Sequence, residues 1–189
     1  MLKTDEELVT ACLGGENAAF DELVGRWNPR IRGAIYRMLG SYDEARDLSQ
    51  ETFLKAYRAL PGFKGEARFS SWLYQIAMNL CRDRLRRGRG RFTVGLEAVD
   101  AEAARLPGSQ ATDTLVERDV RRRVAEAVAE LAAEHREVLV LKEYEGLTFA
   151  EIAEVTGLPL STVKTRLYRA LGALRGRLEA RGFTAGAVS

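Results

Sequence analysis

The chain has 189 residues, with 29 Lys and Arg against 27 Asp and Glu, one histidine and a formal net charge of +2. With 46% hydrophobic and 30% charged residues it is neither a disordered chain nor a low-complexity fibre. No apolar run reaches the roughly 20 residues of a membrane helix, and Cys12 and Cys81 with a single His135 are too few for a disulfide framework or a structural zinc site.

The chain reads as helical almost throughout. Thr4-Asp-Glu-Glu7 has the Ser/Thr-x-x-Glu form of a capping box and opens the first helix. This N-terminus is acidic and lacks the apolar stretch of a signal peptide, so the expected location is cytoplasmic. Asn17 precedes Phe20, Leu23, Val24 and Trp27 at helical spacing, and Asn28-Pro29 is read as the start of a further helix. Ser41-Tyr-Asp-Glu44 repeats the capping form, and Ala45, Leu48, Phe53, Ala56 and Leu60 follow in a 3–4 rhythm that Pro61-Gly62 stops. From Ser70 to Arg87, Trp72, Leu73, Ile76, Ala77, Leu80 and Leu85 form one apolar stripe.

Residues 88 to 112 differ. Gly88, Gly90, Gly95, Pro107, Gly108 and Ser109 punctuate them, which predicts a flexible linker with a short helix around Leu96–Arg105. Helical periodicity resumes at Leu115, Val116, Val120, Val124 and Val128 and continues through Val138, Leu139 and Leu141. The expected fold class is all-α. Two small helical domains, 1–87 and 113–180, are joined by the 88–112 linker, and 181–189 form a tail.

Thr148 to Arg169 has helix-turn-helix spacing. Thr148-Phe-Ala-Glu151 is a third capping box. Ala153 is small where two helices cross, and Gly157 suits a tight turn with positive φ. Ile152, Leu158 and Val163 supply a small core, and Pro159 with Ser161 separates the helices, Ser161 being the expected N-cap. On the second helix Val163, Leu167, Ala170 or Leu171, Leu174 and Leu178 face inward. Ser161, Thr162, Lys164, Thr165, Tyr168 and Arg169 project elsewhere, with Arg166 at the margin: a hydroxyl-rich start followed by cations able to reach guanine edges or phosphates.

Charge is segregated along the chain. Arg82, Arg84, Arg86, Arg87, Arg89 and Arg91 face only Asp83, an acidic stretch follows from Glu97 to Asp119, and Lys164 to Arg181 is basic again. Basic blocks of this kind are phosphate contacts or solvated helix faces.

Two further faces carry chemistry. Asp47, Glu51, Leu54 and Arg58 share one side of a helix, with Gln50 at its margin, which reads as ordinary solvation or as a docking face for a basic partner. Gln75, Asn79, Arg82 and Arg86 follow i, i+4, i+7, i+11 and share another. With Trp72 and Tyr74 nearby, that face suits bases and backbone, and the preceding Phe63–Phe69 loop could receive an extruded base. Core packing is the competing role for Trp72. His135 stands in a charged helix-start context with no nucleophile pattern or phosphate loop, so no catalytic site, metal site or cofactor is expected.

Asp47-Leu-Ser-Gln-Glu-Thr-Phe53, Phe69-Ser-Ser-Trp-Leu-Tyr-Gln-Ile-Ala-Met-Asn79 and the helix-turn-helix together resemble an extracytoplasmic-function (ECF, group IV) sigma factor of bacterial RNA polymerase, in the sigma-70 family. The resemblance covers about residues 5–87 and 115–178. It implies a non-catalytic promoter-specificity subunit. Asp47, Gln50, Glu51 and Leu54 would dock sigma region 2 on the β′ clamp helices of core polymerase. Phe63, Lys64, Phe69, Trp72, Gln75, Asn79, Arg82 and Arg86 would open the −10 element and hold a flipped base. Ser161, Thr162, Lys164, Thr165, Arg166 and Arg169, in sigma region 4, would read the −35 element, with region 4 also meeting the β flap. The linker would run toward the RNA exit path, its acidic residues imitating nucleic acid. The partners so implied are core polymerase, promoter DNA and an anti-sigma factor able to hold the chain at the membrane without any span of its own. The alternative is a free-standing helix-turn-helix regulator whose N-terminal domain senses a ligand or dimerises.

Overall fold

The computed structural model describes residues 3–65, 67–88 and 115–183, and every regular element among them is helical. Helix α1 spans Asp5–Leu13. Its Thr4 capping box is closed from both sides: the Glu7 amide donates to Thr4 Oγ1 at 3.2 Å, and the Thr4 amide donates to Glu7 at 2.7 Å. Helix α2 runs Asn17–Leu39 and ends on Gly40, whose φ of 72° only glycine adopts cheaply. Helix α3 covers Tyr42–Ala59, and the Leu60–Gly62 3-10 turn closes it where Pro61-Gly62 predicts a stop. Helix α4 covers Phe69–Arg86.

Pro29 does not begin a helix. It sits inside α2, which continues through it. Proline removes one backbone donor, but Ala19, Phe20 and Leu23 before it and Ile31, Ala34 and Ile35 after it are all buried in one core. The Ser49 hydroxyl of α3 donates to the Asn28 side chain at 2.6 Å and clamps the helix beside the proline. Tertiary packing outweighs the local break.

The linker, including the helix expected around Leu96–Arg105, lies outside the described residues. Beyond it come α5 (Leu115–Ala129), α6 (Ala133–Leu139) and a π-helical segment, Val140–Tyr144. The continuous periodicity through Leu141 therefore hides a break at 130–132. Arg136 makes that break stable. Its guanidinium, 6% exposed, donates to the carbonyls of Ala129 at 2.5 Å and Leu131 at 2.9 Å, satisfying groups the ended helix leaves free.

Helices α7 (Phe149–Thr156) and α8 (Leu160–Ala180) complete the chain. Ser161 is not the N-cap of α8. The helix begins at Leu160 with Pro159 in the cap position, and no side chain caps it. Pro159 keeps extended backbone, with φ −57° and ψ 143°, and the first helical residue is Leu160.

The two halves share one hydrophobic cluster. Leu8, Leu23, Ile35, Leu73 and Met78 come from before the linker, and Leu139, Leu141, Ile152 and Val163 from after it. Helices α4 and α7 pack directly together.

Candidate functional site

Alternation of apolar and polar positions on α3 points Ala45, Leu48, Thr52, Phe53 and Ala56 inward. Asp47, Gln50 and Leu54 are exposed in consequence, and Glu51 is partly so. Leu54 keeps 49% of its surface in water and Tyr57 48%, so apolar area stands among the carboxylates. Glu51 pairs with Lys55 at 3.1 Å and Asp47 with Arg46 at 3.7 Å, both within α3. These exposed pairs add little stability, which leaves the face available to a partner.

At the start of α4, three rings form a cluster. Phe63 lies 4.9 Å from Trp72 and 6.2 Å from Phe69, and Phe69 is 5.9 Å from Trp72. Phe69 is 1% exposed and belongs to the core. The first turn of α4 aims it inward, where it supports the other two rings. Tyr74 is likewise 1% exposed and does not join the polar face. Trp72 and Phe63 are half-buried against the core, and Lys64 is exposed.

The polar face of α4 divides. Gln75, Asn79 and Arg86 are exposed. Arg86 pairs with Asp83 at 2.6 Å. Arg82 contacts Asn79 and also reaches Glu137 of α6 at 3.0 Å. Glu137 is 3% exposed; burial pushes its carboxyl above the usual range, and Arg82 and Arg166 oppose that shift.

The helix-turn-helix has the expected local chemistry. The Glu151 amide donates to Thr148 Oγ1 at 3.2 Å and the Thr148 amide donates to Glu151 at 2.8 Å. The Thr148 amide, and after it the Thr148 hydroxyl and the cations Arg68 and Lys142, hold the Glu151 carboxyl below its usual range despite partial burial. Gly157 has φ 70° and its amide donates to Ala153 O at 2.9 Å. Val163, Leu167 and Ala170 of α8 are buried. Ser161, Lys164, Thr165 and Arg169 are exposed on the opposite side, and Tyr168 keeps 67% of its surface in water. Thr162 and Arg166 are half-buried, and Arg166 lies 3.8 Å from Glu134. Of the expected inward pair Ala170 and Leu171, Ala170 takes the buried position and Leu171 is 38% exposed.

Sequence reasoning missed a set of polar contacts across the linker. Glu145, 7% exposed, accepts the Tyr74 hydroxyl at 2.5 Å. Its carbonyl accepts Arg30 at 2.8 Å, and its carboxylate lies 3.7 Å from Arg37. The Arg37 guanidinium also stacks 4.4 Å over the Tyr144 ring. Arg136 donates to Met38 O, in the last turn of α2, at 2.6 Å. No spacing rule pairs residues so far apart. The only sequence hint was an arginine and two glutamates placed among apolar positions.

No helix among the described residues is long and apolar enough to cross a membrane. Residues 23–91 match the family model for sigma-70 region 2, and residues 121–174 that for sigma-70 region 4. The chain is 36% identical to the RNA polymerase sigma-H factor of Pseudomonas aeruginosa over 93% of its length and 94% of that protein. It is 34% identical to the ECF RNA polymerase sigma factor SigW of Bacillus subtilis, over 87% of this chain and 91% of the relative. Among solved structures it is similar to CnrH in complex with the cytosolic domain of CnrY. That match has a TM-score of 0.71 and 28% identity, over 94% of this chain and 99% of the other. The fold also matches the sigma factor RpoE in complex with the anti-sigma factor NepR from Bartonella quintana, with TM-score 0.65 and 23% identity over 85% and 96% of the two chains. Both halves match the same family in the expected order, and the chain belongs to the ECF sigma factors of the sigma-70 family.

Proposed function

We propose that the chain acts in the cytoplasm as the promoter-specificity subunit of a bacterial RNA polymerase and has no catalytic role of its own. The observation that carries this reading is the separation of two kinds of surface. One helix, α3, exposes carboxylates, an amide and Leu54, whereas α4 and α8 expose amides, hydroxyls and cations.

Asp47, Gln50, Glu51 and Leu54 dock on the β′ clamp helices, with region 4 meeting the β flap. Phe63, Lys64, Trp72, Gln75, Asn79, Arg82 and Arg86 engage the opened −10 strand, where half-exposed rings offer a stacking surface for unpaired bases. Ser161, Thr162, Lys164, Thr165, Arg166 and Arg169 enter the major groove at the −35 element. An anti-sigma factor is the regulatory partner, by likeness in fold to RpoE, which is solved with the anti-sigma factor NepR. Residues 1–87 and 113–180 form the two functional domains. The free-standing regulator is not favoured, because the residues before the linker match sigma region 2.

In vitro transcription with core polymerase and genomic fragments tests this. Initiation at discrete start sites should require both core enzyme and this chain. On a promoter mapped in that way, Arg169→Ala should cost about 1–3 kcal/mol at a single −35 base pair if the contact is bidentate. Specific duplex binding that core polymerase does not alter would refute the sigma reading.

A further inference from the structure

Arg166 is poorly matched with acceptors. Its side chain is 26% exposed, so most of it has left water. Among the described residues it donates no hydrogen bond, and its ion pair with Glu134 is loose at 3.8 Å. A guanidinium carries five donors in a planar fork and is costly to bury without acceptors. Arg82 of α4 is better served: it reaches Glu137 at 3.0 Å and contacts Asn79.

Both arginines line one cleft of about 390 Å³, where α4, α6 and the helix-turn-helix meet. Met38, Leu85 and Leu158 give the cleft an apolar wall. Its volume lies at the small end of the roughly 300–1,000 Å³ of ligand clefts, whose usual makeup is an apolar lining with a few convergent polar groups. The two carboxylates of the cleft are unequal. Glu137 is 3% exposed and committed to Arg82, whereas Glu134 is 57% exposed. An incoming anion displaces Glu134 from Arg166 at little cost, because so loose and exposed a pair contributes little. The pair of Arg82 with Glu137 stays intact. The planar fork of Arg166 matches a carboxylate or phosphate group.

We propose that this cleft binds a compact amphipathic anion, a carboxylate or phosphate monoester on a flat apolar body. The anionic group sits on Arg166 and the body lies against Met38, Leu85 and Leu158. Arg82 and Arg166 also belong to the proposed DNA-reading sets, so the ligand takes them from promoter DNA and lowers transcription. That consequence rests on the sigma reading; the binding itself does not.

Calorimetric titration of the full chain with benzoate and with phenyl phosphate tests the site. Both should bind with dissociation constants on the order of 1 mM, the scale for ligands of about ten heavy atoms. The stronger of the two names the anion the site takes. Acetate and inorganic phosphate lack the apolar body and benzyl alcohol lacks the charge, so each should bind about tenfold more weakly or not at all. Arg166→Gln should weaken both probes about tenfold, the scale of a lost charge-assisted contact. Glu134→Gln should tighten them several-fold, because it removes the carboxylate that competes for Arg166. Transcription by core polymerase with this chain should fall when phenyl phosphate is added at a saturating concentration, and should not fall with inorganic phosphate at the same concentration.

Failure of both probes to bind, equal binding of inorganic phosphate, or unchanged affinity in either variant would overturn the site. Binding with undiminished transcription would overturn the competition. If no transcription depends on this chain even without a probe, the sigma reading itself fails, and calorimetry still decides whether the cleft takes an anion. Should Arg166→Gln lose its helical circular dichroism, Glu134→Gln, on an exposed side chain, decides the matter.

Discussion

The Tyr74 hydroxyl of α4 donates to the Glu145 carboxylate at 2.5 Å, joining residues 71 positions apart on opposite sides of the linker. Tyr74 is 1% exposed, so neither group has bulk water as a ready substitute. Burial raises the Tyr74 phenol well above its usual pKa, and the charge and hydrogen bond of Glu145 raise it further. The phenol therefore remains a donor in the folded protein.

Tyr74→Phe keeps the ring and removes the donor. It should destabilise the protein by about 1–3 kcal/mol, the range for a buried acceptor losing its partner. The pH dependence has a definite sign. A folded pKa raised above the ordinary 10 makes the contribution complete below about pH 10, and it is lost as pH rises further, because the unfolded phenol ionises first. Thermal melts at pH 8 and pH 11 should show the gap between wild type and variant narrowing at the higher pH. An equal gap at both would place the phenol's titration elsewhere.

Gly157 holds φ 70° at the helix-turn-helix turn, and a Cβ built there meets nothing within 4 Å. Gly157→Ala should therefore cost only backbone strain, about 1–2 kcal/mol. Gly157→Asn should cost less, because asparagine tolerates the left-handed region better than alanine. Chemical denaturation of the three proteins checks the order. Alanine as stable as glycine would mean that the turn relaxes to negative φ.

The two thiols should differ sharply. Cys81 is fully buried, and burial pushes its thiol far above the usual value. Cys12 is only half-buried, and its thiol is raised mainly by partial burial. A thiol reagent followed by mass spectrometry should label Cys12 alone in the native protein, slowly at neutral pH, and both in denaturant. Native labelling of Cys81 at the same rate would show that the core around α4 opens readily.

On α3, Leu54→Ala should weaken core-polymerase binding about tenfold, since half of the side chain is open in the free protein and its burial contributes on the order of 1–2 kcal/mol. Glu51→Lys should weaken it as well. Stability should change by no more than about 0.5 kcal/mol in either variant, because both positions are on the surface. Core affinity measured beside a melting curve separates docking from folding. Unchanged affinity in both would move the docking surface off this face.

Much of the secondary structure was legible because its causes are local. The Thr4 and Thr148 capping boxes, the stop at Pro61-Gly62 and the positive φ of Gly157 each involve residues three or four apart, and each formed where expected. The exposed faces of α3 and α8 were legible for the same reason. Helical periodicity separates the side that meets the core from the side that does not.

What the sequence by itself determined was thus the helices, most of their caps, the exposed faces and, through Asp47–Phe53, Phe69–Asn79 and the helix-turn-helix, the family. Tertiary structure alone decided three other things: that α2 runs through Pro29, that Phe69 and Tyr74 turn inward, and that Arg30, Arg37, Tyr74, Arg136, Glu137 and Glu145 meet across the linker. The physical reason is the same in each case. Local rules assign a charged or prolyl residue to the surface or to a helix end, and place an aromatic beside a polar face without saying which side it takes. Burial against a distant segment, with a partner for each polar group, reverses that assignment.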